Sequence, residues 1–190
     1  MMIEAVYRLL DHPRTSPLAV SEILAEAGLS TRSFYRHFRS KDNLFLAVFE
    51  AESERARDDL DVAISRAADP VGALRQWVAF YHSMIADPRR RRRVRIILSP
   101  EVTRATGYAA AQARTQQALH ARLTRILGDG ARTGHFRHTR PEVDAVFIQD
   151  VVSSLVARAR DGIEWDDSEE TLDGLQDFVA RAVGAPSTTP

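Results

Sequence analysis

The chain has 190 residues, enough to bury a core in one helical domain or in a small head and a larger body. Its 26 basic and 26 acidic residues cancel, which excludes a uniformly cationic nucleic-acid coat, and the lack of cysteine excludes disulfides and thiolate-based sites. The first residues lack the basic and apolar regions of an export signal, and no apolar run could span a bilayer, so we expect a cytoplasmic protein.

Three short helices are predicted in the first 40 residues. Apolar residues at helical spacing indicate a first helix from about Ile3, which ends before Pro13 because the residue before proline is pushed out of the α region. A second helix is expected over residues 18–27. Gly28 then offers the positive φ favoured at a helix end, and Ser30 is placed to cap a third short helix.

Helical spacing continues through the rest of the chain, with proline and glycine at the joints. A long helix is expected to open at Lys41. Asp69-Pro70 and Asp87-Pro88 are each typical of a helix start, because aspartate caps the first turn and proline fits its first position.

Three further segments complete the C-terminal half. A long helix is expected to end near residues 128–130, another covers 142–159, and an acidic link at 164–168 precedes the last helix. The chain is therefore predicted to be all-α, with about nine helices. We divide it into a three-helix head at residues 1–46, a larger helical body at 47–184 and a flexible tail at 185–190.

The third helix has two contrasting faces. At about 100° per residue, Phe34 and Phe38 share one face, whereas Arg32 and Arg36 lie on the opposite one. A helix that enters the major groove needs this arrangement, with apolar anchors behind and bidentate donors toward base edges. Residues 30–41 carry four basic side chains and no acidic one. An ordinary amphipathic hairpin with a basic face is the alternative.

The sequence here resembles the signature of the tetracycline-repressor (TetR) family, with Ala27-Gly28-Leu29-Ser30 followed by Phe34-Tyr35-Arg36-His37-Phe38 and Ser40-Lys41. The resemblance covers about residues 3–49. It implies a dimeric, ligand-responsive repressor with a helix-turn-helix DNA-binding domain at residues 1–46 and a ligand-binding and dimerisation body. By this resemblance the bases would be contacted by Thr31, Arg32, Ser33 and Arg36, and the phosphates by Ser21, Ser30, Tyr35, His37 and Lys41.

Two features depart from the family pattern. Relatives usually have threonine at the position of Ala19, as the cap and phosphate contact that opens the second helix. Here that contact would come from Ser16 or Ser21, or be absent. The chain also begins almost inside its first helix, without the basic arm that many relatives carry.

Six arginines, at residues 89–93 and 95, follow Asp87-Pro88. Cations in a first turn oppose the helix dipole by about 0.3–1 kcal/mol each, so we expect acidic neighbours. Alternatively, the run lies near the DNA-facing side and attracts phosphates. The expected acidic partners are Asp58, Asp59 and Asp61, or the stretch Glu164–Glu170.

The closest histidine pair is His135 and His138. The pair is predicted to lie in a loop without a third ligand nearby, so we interpret it as a solvated turn rather than a metal site. No catalytic constellation or phosphate-binding loop has supporting context, and neither an enzyme nor a cofactor is expected.

The two C-terminal helices offer apolar surface for a homodimer. The helix over 142–159 is apolar on more than one face, and two such helices from each subunit would form a four-helix interface. The alternative is that both complete the monomer core. The predicted interface residues are Val151, Leu155, Leu172, Leu175, Phe178 and Val179.

A small, largely apolar ligand is expected to enter the body and favour a head spacing incompatible with a near-palindromic operator. The candidate lining residues, for each of which a place in the plain core is the favoured alternative, are Trp77, Phe80, Tyr81, Met84, Tyr108, His120, Phe147 and Trp165. Two other functions compete: a helical small-molecule-binding protein or enzyme that keeps the fold without operator binding, and a general anion or nucleic-acid binder that uses the arginine run.

Overall fold

The computed structural model describes residues 1–12, 14, 16–160 and 168–185. This part of the chain forms ten helices and no strand, which confirms the all-α prediction. The helices are α1 (Met2–Leu10), α2 (Val20–Ala27), α3 (Thr31–His37), α4 (Lys41–Ser65), α5 (Pro70–Ala86), α6 (Pro88–Ile97), α7 (Pro100–Thr103), α8 (Tyr108–Arg132), α9 (Pro141–Arg160) and α10 (Glu169–Ala182).

The predicted start signals of three helices are confirmed. Ser30 Oγ accepts a hydrogen bond from the backbone N–H of Ser33 at 3.2 Å and so caps α3. Asp69 Oδ1 accepts one from Gly72 N at 2.7 Å at the start of α5, and Asp87 Oδ1 accepts from the first turn of α6. Gly28 ends α2 in the left-handed region at φ 64°, as its position predicted.

The predicted end of α8 near residues 128–130 is wrong. The helix continues to Arg132, and the left-handed glycine that follows it is Gly134, at φ 78°. Gly130 lies inside the helix, and the ring of Phe136 packs against it so closely that a Cβ there would lie 2.0 Å from Phe136 Cδ2. The short helix α7 was also missed, which raises the count in the described residues to ten.

The chain divides into two compact units, and the first contains residues 1–55 and 92–115. Its core holds apolar side chains of α1 to α4 together with side chains from α6 to α8, so it extends beyond the head boundary predicted at residue 46. This core includes residues that are far apart in sequence, and the spacing of apolar residues along the chain does not predict such contacts. The buried residues include Val6, Leu18, Ile23, Phe34, Leu44, Phe45, Val48, Phe49, Ile96, Val102 and Tyr108.

The second unit contains residues 56–91 and 116–190, of which 161–167 and 186–190 lie outside the described residues. Most of the predicted acidic link and flexible tail lies in these two stretches. In this unit α5 packs against α9 and α10, and Gln176 Nε2 donates to the carbonyl of Arg75 at 3.2 Å. Its core includes Leu60, Leu74, Trp77, Val78, Leu123, Leu127, Phe136, Ile148, Val152, Val179 and Val183.

None of the described helices combines the length and the apolar character needed to cross a membrane.

Candidate nucleic-acid interface

Helix α3 is held in the first unit by its aromatic face. Phe34 is 1% exposed and packs among the side chains of that core, with the ring of Phe38 5.8 Å away. Because this face is buried, the opposite side of α3 must face outward.

The outward side carries the predicted base-reading residues. Thr31, Arg32 and Arg36 are exposed, whereas Ser33 is half-buried. Neither Arg32 nor Arg36 forms an ion pair with any described residue. These two guanidinium groups lie one turn apart and have no ion-pair partner among the described residues, so their bidentate donors are available to bases or phosphates.

The predicted phosphate contacts fall into two groups. Ser21, Ser30, Tyr35 and His37 are exposed, and the side chain of Tyr35 is 63% exposed. Lys41 differs because it is half-buried. Its Nζ donates to the carbonyl of Leu18 at 3.2 Å and lies 5.7 Å from the ring centroid of Phe45. The ammonium group of Lys41 thus joins the segment before α2 to α4, and its contact with a phosphate stays a prediction.

The start of α2 compensates for the missing threonine at position 19. Ala19 has no side-chain acceptor, and its backbone N–H instead donates to Glu22 Oε2 at 2.7 Å. Arg14 Nη2 donates to the other carboxylate oxygen at 2.7 Å. These two contacts hold the pKa of Glu22 below its usual range. Ser16 and Ser21 are both exposed, so either hydroxyl is free to reach a phosphate.

Residues 15–48, which cover α2, α3 and the start of α4, match the family described as bacterial regulatory proteins, tetR family. The match is confined to this N-terminal segment.

The whole chain is also similar in fold to solved regulators. The fatty acid degradation regulator FadR from Bacillus halodurans has 17% identity and a TM-score of 0.75, with 94% of this chain and 92% of that chain covered. FadR from Bacillus subtilis, solved in complex with stearoyl-CoA, has 14% identity and a TM-score of 0.75 over 94% and 95%. A TetR family transcription regulator from Marinobacter aquaeolei VT8 has 24% identity and a TM-score of 0.63 over 96% and 93%.

At these identities the likeness establishes the fold. The fold is therefore that of solved transcriptional regulators, and residues 15–48 match bacterial regulatory proteins of the tetR family.

The arginine run, at residues 89–93 and 95, is largely paired with acids. In the second unit, Arg90 Nη2 lies 3.0 Å from Asp59 Oδ2, which confirms one predicted partner, and its guanidinium lies 5.5 Å from the ring centroid of Phe80. In the first unit, Arg92 and Arg95 both pair with Asp11. This pairing disfavours a general anion binder that acts through the run.

Glu52 is a second partner that the sequence reasoning missed. It is 8% exposed and accepts the hydroxyl of Tyr7 at 2.9 Å and Arg55 Nη1 at 3.1 Å, with Arg93 Nη1 3.8 Å away. Burial, and then the nearby carboxylate, raise the pKa of Tyr7. The signal was present, because Glu52 continues the helical spacing of Phe45, Val48 and Phe49, and a carboxylate on an apolar stripe needs a buried partner.

The predicted ligand-lining residues do not form one group. Trp77, Phe80 and Tyr81 are buried in the second unit, and Met84 is half-buried against them. Tyr108 belongs instead to the core of the first unit, where its ring centroid lies 4.8 Å from that of Phe49. His120 is half-buried, with Nε2 3.4 Å from Thr124 Oγ1.

Phe147 corrects the ligand-pocket prediction. Its side chain is 64% exposed on α9, so it lies on the surface of the second unit rather than in a pocket of this chain. Trp165, the remaining candidate, lies outside the described residues.

The predicted dimer-interface residues differ in how far their side chains are buried within this chain. Leu155 and Val179 are buried within the chain, which corrects their assignment to an interface, and Leu172 and Leu175 are half-buried against the same core. Val151 and Phe178 are 40% and 48% exposed. The exposed apolar residues of α9 are Val143, Val146, Phe147 and Val151. Of these, only Val151 was among the predicted interface residues.

His135 and His138 border an open cleft of about 690 Å³ with Arg137 and Arg181. The imidazole of His135 is held by Thr133, whose Oγ1 lies 2.8 Å from Nδ1. In the described residues, no three histidine, aspartate or glutamate side chains are grouped as a metal ion would require.

Proposed function

We propose that this protein is a TetR-family regulator, namely a homodimeric repressor that binds a near-palindromic operator in double-stranded DNA and releases it when a small, largely apolar ligand enters the body. The observation that carries the proposal is the contrast between the two faces of α3. Phe34 fixes one face in the core, while Arg32 and Arg36 project from the other without an ion-pair partner among the described residues.

The proposed base contacts are made by Thr31, Arg32, Ser33 and Arg36. Each bidentate contact between an arginine and a guanine contributes about 1–3 kcal/mol of discrimination against the wrong base. Ser21, Ser30, Tyr35 and His37 are proposed to hold phosphates, which fix the register of α3 without reading sequence.

The exposed apolar stripe on α9 is proposed as the centre of the homodimer interface. Val143, Phe147 and Val151 are spaced four residues apart and therefore lie on one helical face. Phe178 on α10 adds a further exposed ring. Covering these side chains with the same set from a second subunit removes them from water in an isologous contact.

The ligand is proposed to bind in the second unit and to weaken operator binding. Thermodynamic linkage requires that DNA weakens ligand binding by the same factor. The FadR protein of Bacillus subtilis was solved with stearoyl-CoA, which supports an amphipathic effector with an apolar body. The proposal makes the protein a cytoplasmic regulator rather than an enzyme, and no step in it needs a cofactor.

The experiment that tests the proposal is selection of bound fragments from a genomic DNA pool at one stated salt concentration. We expect one near-palindromic site to be enriched by the native protein and lost by the Arg32→Ala/Arg36→Ala variant. Arg137→Ala/Arg140→Ala is the matched control, because it removes the same charge from two exposed positions outside the first unit. Binding without any preferred sequence would refute sequence-specific repression.

A further inference from the structure

The turn between α7 and α8 is docked on the start of α4. In the first turn of α4, Asp42 Oδ2 accepts hydrogen bonds from the backbone N–H of Thr106 at 3.0 Å and from its hydroxyl at 2.6 Å. Both residues belong to the first unit, although 64 positions separate them in sequence. The two bonds hold the pKa of Asp42 below its usual range, so this carboxylate is charged at neutral pH.

Two further contacts along α4 hold this turn in place. The backbone of Gly107 has φ 91°, and a Cβ there would lie 3.2 Å from Leu46 Cδ2, so the turn lies directly against α4. The ring of Tyr108 packs on that of Phe49, with 4.8 Å between the two centroids. Asp42, Leu46 and Phe49 are three or four positions apart and therefore share one face of α4. The turn is thus held along α4 from the first turn of that helix onward.

Arg104 belongs to this turn and has an available guanidinium group. It follows α7 directly and lies two residues before Thr106, a span of at most about 7 Å. Its backbone N–H donates to the carbonyl of Pro100 at 3.2 Å. Its side chain is exposed and forms no ion pair with any described residue. The bonds between Thr106 and Asp42 therefore bring a free cation close to the first turn of α4.

The first turn of α4 adjoins the predicted phosphate contacts. Only residues 38–40 separate α3 from α4, and His37 and Lys41, on either side of them, are both predicted to hold phosphates. The carboxylate of Asp42 follows directly and would repel a phosphate at this point. A further cation beside Asp42 offsets that repulsion, and Arg104 supplies one from outside the helix-turn-helix segment.

We propose that Arg104 contacts a phosphate of the operator, so that the DNA interface extends from the helix-turn-helix segment to the turn between α7 and α8. The proposal rests on the operator binding proposed above. It adds a contact outside residues 15–48, the segment that matches the tetR family. A contact of this kind contributes affinity and fixes the orientation of the protein on the duplex, but it reads no sequence.

The test measures how the binding constant for DNA depends on salt, by fluorescence anisotropy of the operator and of a scrambled duplex. A plot of the logarithm of the binding constant against that of the salt concentration falls with a slope of about 0.9 for each phosphate contacted. Arg104→Gln is expected to reduce this slope by about 0.9 for each bound subunit, on both duplexes. The preference for the operator should not change, because the lost contact reads no sequence.

Two further variants separate a phosphate contact from a general loss of charge. Arg104→Lys keeps a positive charge that a phosphate accepts, and it should retain the native slope. Arg114→Gln is the matched control: it removes the same charge from an exposed position in the first unit, where Arg114 Nη2 lies 3.2 Å from Glu50 Oε1. Its slope should match that of the native protein. An unchanged slope for Arg104→Gln, or an equal fall for Arg114→Gln, would overturn the proposal.

The scrambled duplex separates this inference from the proposed function. If the native protein prefers no sequence but Arg104→Gln reduces the slope, sequence-specific repression is refuted and the phosphate contact is supported. If the native protein prefers the operator and Arg104→Gln has the native slope, the phosphate contact is refuted and operator binding is left intact.

Discussion

Helices α3 and α9 both carry large side chains on opposite faces. Only for α3 does the sequence predict which face is buried and which is exposed. On α3 one face is aromatic and the other cationic, so the aromatic face must be buried and the cationic one exposed. On α9 both faces are apolar, and periodicity cannot say which one packs inside the chain. The structure buries Val152 and Leu155 and exposes Phe147 and Val151. The buried face of a helix can therefore be predicted from sequence when its two faces differ in the free energy of removal from water.

The largest loss of stability is expected when the buried aromatic side chain of α3 is removed. Phe34→Ala is expected to lower the free energy of unfolding by about 3–5 kcal/mol, because it leaves a cavity in the core of the first unit. Urea unfolding at a fixed protein concentration measures the loss. Tyr35→Ala, at the neighbouring exposed position, is the control and should change stability by less than about 0.5 kcal/mol. Equal losses would mean that α3 is not anchored through Phe34.

For α9 the contrast predicts that a substitution on the exposed apolar face weakens dimerisation. Phe147→Asp is expected to raise the dimer dissociation constant at least about 100-fold, or 2.7 kcal/mol, because it places a charge at the centre of an apolar interface. Sedimentation equilibrium provides the measurement. Val62→Asp, at an exposed position on α4, should leave the association unchanged. A Phe147→Asp protein that stays dimeric would place the interface elsewhere.

A smaller effect is expected at Glu52, which lies on an apolar stripe of α4. Glu52→Gln removes the charge that faces Arg55 and Arg93, and we expect the free energy of unfolding to fall by about 1–3 kcal/mol. Glu50→Gln is the matched control, because Glu50 is exposed and its ion pair with Arg114 contributes little. Similar values for both variants in urea unfolding would refute a special role for the buried carboxylate.

The smallest effect concerns Asp61 and Arg122, whose side chains form two hydrogen bonds of 2.6 Å. These bonds hold the pKa of Asp61 below its ordinary value of 3.8. Because the folded pKa is the lower one, the stabilisation is complete above the unfolded value and is lost as pH falls through the folded value. Both side chains are partly exposed, so we expect below about 1 kcal/mol at neutral pH.

Arg122→Gln should therefore unfold more easily than the native protein at pH 7, and this difference should shrink as the pH is lowered below about 4. Urea unfolding across that range measures it. Arg104→Gln, at an exposed arginine without an ion pair to any described residue, is expected to match the native protein throughout. A difference for Arg122→Gln that does not change with pH would contradict the charge pairing.

Sequence reasoning succeeded where the signal was local. Ser30, Asp69 and Asp87 cap their own first turns, and these contacts join residues two or three positions apart. It failed where the cause was distant. Gly130 was interpreted as a helix end, but it is small because Phe136 packs on it.

In the candidate nucleic-acid interface, too, local features could be predicted from sequence and long-range contacts could not. Exposure of Arg32 and Arg36 follows from the period of α3, since their own helix supplies the anchors on the other side. The engagement of Lys41 with the Leu18 carbonyl and the pairing of Arg92 with Asp11 join residues far apart in sequence. Neither contact has a local signature, so neither could be predicted without the fold.

The most direct test of the central claim is fluorescence anisotropy of the selected operator and of a scrambled duplex, each titrated at several salt concentrations. The account predicts that the native protein prefers the operator by at least about 10³-fold, and that Arg32→Ala/Arg36→Ala loses this preference while keeping salt-dependent, non-specific binding. Equal preference for the operator by the native protein and the double variant would contradict the assignment of sequence reading to the outer face of α3.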